Sequence, residues 1–275
     1  MAISQRLGVE DRTLDGWLVA ANLSRAGFQL PSRELRDYAR GIATQAVLRR
    51  ATQLVGPIRR ATRPQRGVLD EPFRGELEVE ETLENLAGKD FPERDDWVVE
   101  VREERRQQVV LMMDVSLSMA GENLAIAAVA AAVLALKMRS EDLGVVVFET
   151  TARAVTHLED RVSSERLVDT LLREPARGYT NIEDGLRLGA REVRRGRNPR
   201  QAGLLISDGV FTAGGDPSHL AAEFPRLFVM LTEDYKMNEE LCYRLASIGR
   251  GDVFRVRHHS QLPARMLDIA NRVLR

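Results

Sequence analysis

Asp114, Ser116 and Ser118 follow directly on an apolar run, Val109 to Met113, and lead into a long apolar segment, Leu124 to Leu136. An apolar run without polar alternation suits a parallel strand covered on both faces. The Asp-x-Ser-x-Ser triplet then falls at the C-terminal end of a buried strand, where open parallel sheets hold their ligands. Every group it offers is an oxygen, and hard oxygens favour Mg²⁺, Mn²⁺ or Ca²⁺ over zinc or copper. Two further stretches occupy equivalent places. Gly178-Tyr179-Thr180-Asn181 precedes a helical pattern and offers a hydroxyl, while Leu204-Leu205-Ile206-Ser207-Asp208-Gly209 is a buried strand ending in a carboxylate and a turn glycine. Three loops at one sheet edge thus supply Asp114, Ser116, Ser118, Thr180 and Asp208 as candidate metal ligands. No nucleophile or general base stands beside them, so no enzymatic activity is expected.

The elements that must position these loops alternate. Strands are predicted over 97–101, 109–113, 144–148, 152–157, 203–206, 227–231 and 253–256. Helices are predicted over 123–139, 164–173, 182–194, 238–247 and 262–274. This alternation predicts an α/β fold with a doubly wound, mostly parallel sheet. Glu149-Thr150-Thr151 is short enough for a hairpin, which makes 152–157 an antiparallel edge.

The N-terminal part reads as a helical extension over residues 1–56. Leu14, Trp17, Leu18 and Ala21 form one stripe that ends by Gly27; Leu35, Tyr38, Ala39, Ile42 and Ala46 form a second that runs to Gly56-Pro57. Two such helices bury too little area to stand alone and should pack on the core. Residues 57–104, punctuated by Pro57, Pro64, Gly67 and Pro72, read as a linker and acidic run-in, with the main domain over 105–275. Charge flips along this stretch: residues 31–66 carry a net +7 and residues 67–100 a net −9. Solvated faces, or one segment folded back on the other, are the expected cause of this asymmetry; the alternative is a docking surface for charged partners, including nucleic acid.

The five oxygens, in this order and at these separations, resemble the von Willebrand factor A (vWA) domain with its metal-ion-dependent adhesion site, over about residues 105–275. The resemblance implies a Rossmann-like fold. It also implies that Ser116 and Ser118 bind the cation directly, that Thr180 joins them when a ligand is engaged, and that Asp114 and Asp208 act largely through water. The family usually has glycine where this chain has Leu117. The stretch Gly75 to Leu83 ahead of the triplet, with Ser207-Asp208-Gly209 followed by Gly214-Gly215-Asp216-Pro217, is similar to bacterial CoxE-like proteins and to the D-type subunit of magnesium chelatase. Those families work beside AAA+ ATPases of the MoxR or chelatase type in metalloenzyme maturation, metal insertion or remodelling of complexes. The resemblance therefore implies a Mg²⁺-dependent protein-binding module, with Mn²⁺ or Ca²⁺ as substitutes. Its partner would present an Asp or Glu to the metal, and a MoxR-type AAA+ ATPase is the expected associate. The alternatives are a chelatase-D-like subunit of an ATP-dependent metal-insertion complex and an RNA-associated vWA protein similar to Ro ribonucleoproteins.

Composition excludes several other classes. The only Gly-Lys pair, Gly88-Lys89, is followed by Asp90, so no P-loop is present. The single cysteine, Cys242, permits no internal disulfide and no multi-cysteine zinc site. The run Leu124 to Leu136 is shorter than the roughly 20 residues of a membrane span, and acids within the first twenty residues argue against a signal peptide. A cytoplasmic protein is expected, without a membrane or nucleic-acid partner. His157 reads as a surface or satisfied residue, the His258-His259 pair as a surface loop, Cys242 as a core thiol, and Glu183-Asp184 as a solvated helix start.

Overall fold

The computed structural model describes residues 19–23, 32–55, 62–68, 76–104, 106–232 and 237–274. The chain divides into two compact units, Met1–Ile58 with Gln107–Arg275, and Arg59–Arg106.

The larger unit is built on a six-stranded sheet. Its strands are β4 (Gln108–Asp114), β5 (Leu143–Phe148), β6 (Ala152–Thr156), β7 (Gln201–Ser207), β8 (Leu227–Thr232) and β9 (Val253–Val256), in the order β6-β5-β4-β7-β8-β9. Every pairing is parallel except that of β6, which closes one edge antiparallel to β5. The continuous apolar run of β4 has a direct cause. Val109, Leu111 and Met113 enter the core on one face, Val110 and Met112 the core on the other, and all five are at most 1% exposed. The mostly parallel, helix-covered sheet expected from the sequence is therefore what the chain forms.

Helices α5 (Ile182–Arg195) and α7 (Glu239–Ile248) cover one face. The other face carries α3 (Glu122–Lys137), α4 (Ser164–Arg173) and α8 (Leu262–Val273), with α1 (Arg33–Val55) laid over α3 and α4. This outer layer explains α3. Every residue from Leu124 to Leu134 is buried, because the sheet takes one side and α1 the other, and such a helix is apolar all round. The buried face of α1 is Ala39, Ala43, Val47 and Ala51, spaced by four, and these small side chains let the two helices approach closely. The described part of the first predicted helix, residues 19–23, is helical, and Val19, Ala20 and Leu23 join the same core. Leu14, Trp17 and Leu18 lie outside the described residues.

The stretch expected as a linker folds instead. In the smaller unit β3 (Val98–Glu104) pairs antiparallel with β1 (Thr62–Val68) on one side and β2 (Glu76–Leu77) on the other, and α2 (Val79–Leu86) follows β2. The strand predicted over 97–101 thus belongs to this sheet and not to the main one. Pro64 and Gly67, read as loop punctuation, sit in β1 at the sheet's edge, where proline is tolerated because its missing N–H need not face a neighbour.

Candidate metal centre

In the order β6-β5-β4-β7-β8-β9 the chain leaves β4 toward β5 and returns on the other side to β7. The strand order reverses between β4 and β7, and the C-terminal ends of two such strands are where open α/β sheets hold their ligands. Asp114 ends β4, and Asp208 follows the last residue of β7. Both are wholly buried.

Each carboxylate is held by its own loop. Asp114 Oδ1 accepts the N–H of Ser116 at 2.9 Å, which turns the chain out of the strand, and its Oδ2 accepts the hydroxyl of Ser207 at 2.7 Å. Ser116 then opens a single 3-10 turn, Leu117–Met119, that sets the Ser116 and Ser118 hydroxyl oxygens 3.1 Å apart. Gly121 (φ 99°) begins α3 in a conformation that a side chain would disfavour. Asp208 Oδ1 accepts the N–H of Val210 at 2.9 Å. Gly209 (φ 78°) permits this turn, and a Cβ there would lie 2.6 Å from both the Asn238 carbonyl oxygen and Cys242 Sγ.

Thr180, 4% exposed, is gripped from both sides of its peptide. Its N–H donates to Thr212 Oγ1 at 2.9 Å, and its carbonyl accepts the N–H groups of Thr212 and Ala213 at 2.9 and 3.1 Å. Arg177 N–H donates to the Val115 carbonyl at 3.2 Å, which joins the Thr180 loop to the serine loop. On its far side the Thr180 loop is strapped to the β5–β6 hairpin. Tyr179 N–H reaches Thr150 Oγ1 at 3.1 Å, and Asn181 N–H reaches the Glu149 carbonyl at 2.7 Å. Leu117 carries no positive φ and is 67% exposed, so the loop holds this side chain in ordinary backbone geometry.

The electrostatics follow from burial. Removal from water pushes the Asp114 carboxyl up to about 6; hydrogen bonds from Ser116 and Ser207 oppose this, and the charge of Asp208 adds to it. Cys242 is pushed up to about 12 by burial and by Asp208, as suits a core thiol. Among the described residues no three His, Cys, Asp or Glu side chains group to hold a metal. A cation here therefore depends on hydroxyls beside the two aspartates. Hard oxygens throughout, two buried carboxylates that raise one another's cost of ionisation, and a pair of adjacent hydroxyls make a donor set that fits Mg²⁺.

A model of VWA domain containing CoxE-like proteins matches residues 44–229. The chain belongs to this family. The match takes in Asp114, Ser116, Ser118, Thr180 and Asp208, and reaches back through the smaller unit into α1. The vWA fold is also that of a von Willebrand factor type A protein from Catenulispora acidiphila, 16% identical, with a TM-score of 0.51 over 64% of this chain and 45% of that one. Proximal thread matrix protein 1 from the mussel byssus, with a zinc-occupied MIDAS motif, is 17% identical, with a TM-score of 0.51 over 60% of this chain and 47% of that one. This CoxE-like chain thus spans less than half the length of each. None of the curated proteins matches it.

Several residues escaped the sequence reading of this vWA site. Ser207 and Thr212 hold Asp114 and Thr180 directly. Their only signal was a polar residue closing an otherwise apolar strand and a hydroxyl four residues past Asp208. Glu183 and Asp184, expected to be solvated, tie loops together: Glu183 Oε2 accepts Gly215 N–H and Asp184 Oδ2 accepts Ala152 N–H, both at 2.7 Å. His157 is the satisfied residue the sequence allowed, its Nδ1 standing 3.0 Å from Oε1 of the buried Glu192.

Proposed function

We propose that this CoxE-like vWA protein is a non-enzymatic, Mg²⁺-dependent protein-binding module in the cytoplasm. In this reading it is the partner or adaptor of a MoxR-type AAA+ ATPase in complex assembly or metalloenzyme maturation. One observation carries the reading: Asp114 and Asp208 meet, buried, at the reversal of strand order, beside the paired hydroxyls of Ser116 and Ser118. Asp114, Ser116, Ser118, Thr180 and Asp208 would hold the ion. Their neutral hydroxyls leave its charge incompletely balanced, so a carboxylate from another protein is attracted to it.

The rim supports a protein ligand. Leu117 and Tyr179, on the two loops beside the site, are 67% and 66% exposed, and exposed apolar groups around a charged centre are what interfaces use. An all-oxygen donor set suits Mg²⁺, and metal availability in the cell bears on the choice as well. The test is co-purification of the full chain with a MoxR-type AAA+ ATPase. Retention in Mg²⁺ and release by EDTA are expected; retention that EDTA leaves unchanged overturns the proposal.

A further inference from the structure

Helix α2 of the smaller unit is turned inside out. A short helix on a sheet normally buries its apolar stripe and exposes its polar one. Here Thr82 is the buried residue, 2% exposed, while Val79 and Leu83 are 55% and 61% exposed. The rotation is fixed by polar bonds to Val98, with Asn85 Nδ2 donating also to the Asp96 carbonyl at 3.4 Å. The Thr82 hydroxyl accepts the N–H of Val98 at 3.1 Å and donates to the Val98 carbonyl at 3.3 Å, and Glu78 N–H donates to the same carbonyl at 2.9 Å. These bonds hold Val79 and Leu83 outward.

The outward face has a defined pattern. Val79 and Leu83 stand one turn apart and form an apolar stripe; Glu80 and Glu84, also exposed, form an acidic stripe beside it. Acids prevail around it: residues 67–100 carry a net −9, and the smaller unit Arg59–Arg106 as a whole a net −4. Nucleic acid and anionic membranes are therefore repelled. From this charge complementarity we infer that the outward face of α2 is a docking surface for a basic amphipathic helix of a partner protein. Its leucine-like side chains would cover Val79 and Leu83, and its Lys or Arg residues would meet Glu80 and Glu84. Two parallel stripes along a helix axis are matched by a second helix, which repeats its side chains at the same rise. The face is only about 12 Å long, so it contributes a weak, salt-sensitive contact. It contains none of the candidate metal ligands and does not depend on them.

The probe is a fluorescein-labelled peptide of about 14 residues, long enough to form helix, with leucines at i, i+4 spacing and lysines at the neighbouring positions. Its binding to the full chain is read by fluorescence anisotropy. Binding that weakens with added salt and is unchanged by EDTA is expected. Val79→Ser with Leu83→Ser, and separately Glu80→Lys with Glu84→Lys, should each weaken it at least about tenfold. A peptide with glutamates in place of lysines should not bind. Equal binding by the variants, or by the glutamate peptide, overturns the inference. So does a fall in the melting temperature of the peptide-free Val79→Ser, Leu83→Ser chain, which would mean that the chain itself covers this face. Self-association seen by sedimentation and abolished by the same pair would assign the face to a second copy and overturn it equally.

Discussion

Ser207 donates its hydroxyl hydrogen to Oδ2 of Asp114 at 2.7 Å, across the parallel pairing of β4 with β7. Ser207 Oγ in turn accepts the N–H of Gly209 at 3.1 Å, so one wholly buried side chain ties a carboxylate on one strand to the turn that carries Asp208 on the next. Ser207→Ala removes this donor from a wholly buried carboxylate. A stability loss of about 1–3 kcal/mol is expected, measured by denaturant unfolding, with weaker Mn²⁺ binding by calorimetry. A variant matching the wild type in both would refute the role given to Ser207.

Asp114 makes the cation-free protein sensitive to pH. Its folded-state carboxyl lies at about 6 against an ordinary 3.8, because burial disfavours the charge. The folded state then holds the proton more tightly than the unfolded state does. Asp114 therefore costs stability as pH rises from about 4 to about 6, by roughly 3 kcal/mol in all. Subtracting the unfolding free energy of Asp114→Asn from that of the wild type, in EDTA across this range, should reveal the fall. Saturating Mg²⁺ should flatten it, since the ion stabilises the carboxylate. Parallel curves for the two proteins in EDTA would contradict the assignment.

Legibility tracked the range of the interactions. The extents of α4 and β9 agree with the sequence reading because their signals are local. Ser163 caps α4 by accepting the N–H of Arg166, and β9 (Val253-Phe254-Arg255-Val256) is a short stretch in which Phe254 and Val256 alternate inward, bounded by Asp252 and Arg257. The five candidate ligands were legible because each lies at the junction of a strand or helix with a loop. The residues that hold them were not, since Ser207 meets Asp114 across 93 positions of sequence and Thr212 meets Thr180 across 32. The smaller sheet was missed for a related reason. β1 pairs with β3 from Thr62↔Glu104 to Val68↔Val98, and its proline and glycine mark a loop unless that distant partner is known.

Close packing of α5 on the sheet transmits to the site. A Cβ at Gly185 would lie 2.6 Å from the ring of Phe148, which is wholly buried, and the Phe148 carbonyl accepts the N–H of Val115 beside Asp114. At Gly189 the obstacle is the thioether of Met112, a side chain that can move aside. Gly185→Ala should cost about 1–3 kcal/mol, more than the gain of about 1 kcal/mol in helix propensity can offset. Gly189→Ala should cost less. Thermal melts that reverse this order, or Mn²⁺ binding undiminished in Gly185→Ala, would argue against the coupling.

Replacing both serines separates adhesion from folding. The Ser116 and Ser118 hydroxyl oxygens stand 3.1 Å apart in the turn after β4, and the Ser116 side chain also bonds the Asp114 carboxylate. Ser116→Ala with Ser118→Ala should therefore lower stability by no more than about 1–2 kcal/mol. The same pair removes two of the three neutral oxygens assigned to the ion, so calorimetric Mn²⁺ binding and capture of the proposed AAA+ partner should be lost together. Chelation should copy the variant in the wild type, and excess Mg²⁺ should restore capture there but not in the variant. Melting in EDTA supplies the control. A weakly held ion stabilises the fold by a few kcal/mol at most, even when its concentration far exceeds its dissociation constant. A small shift in melting temperature is expected. Collapse of the fold on chelation would mark the ion as structural, and capture that survives the double replacement would remove the metal from the interface.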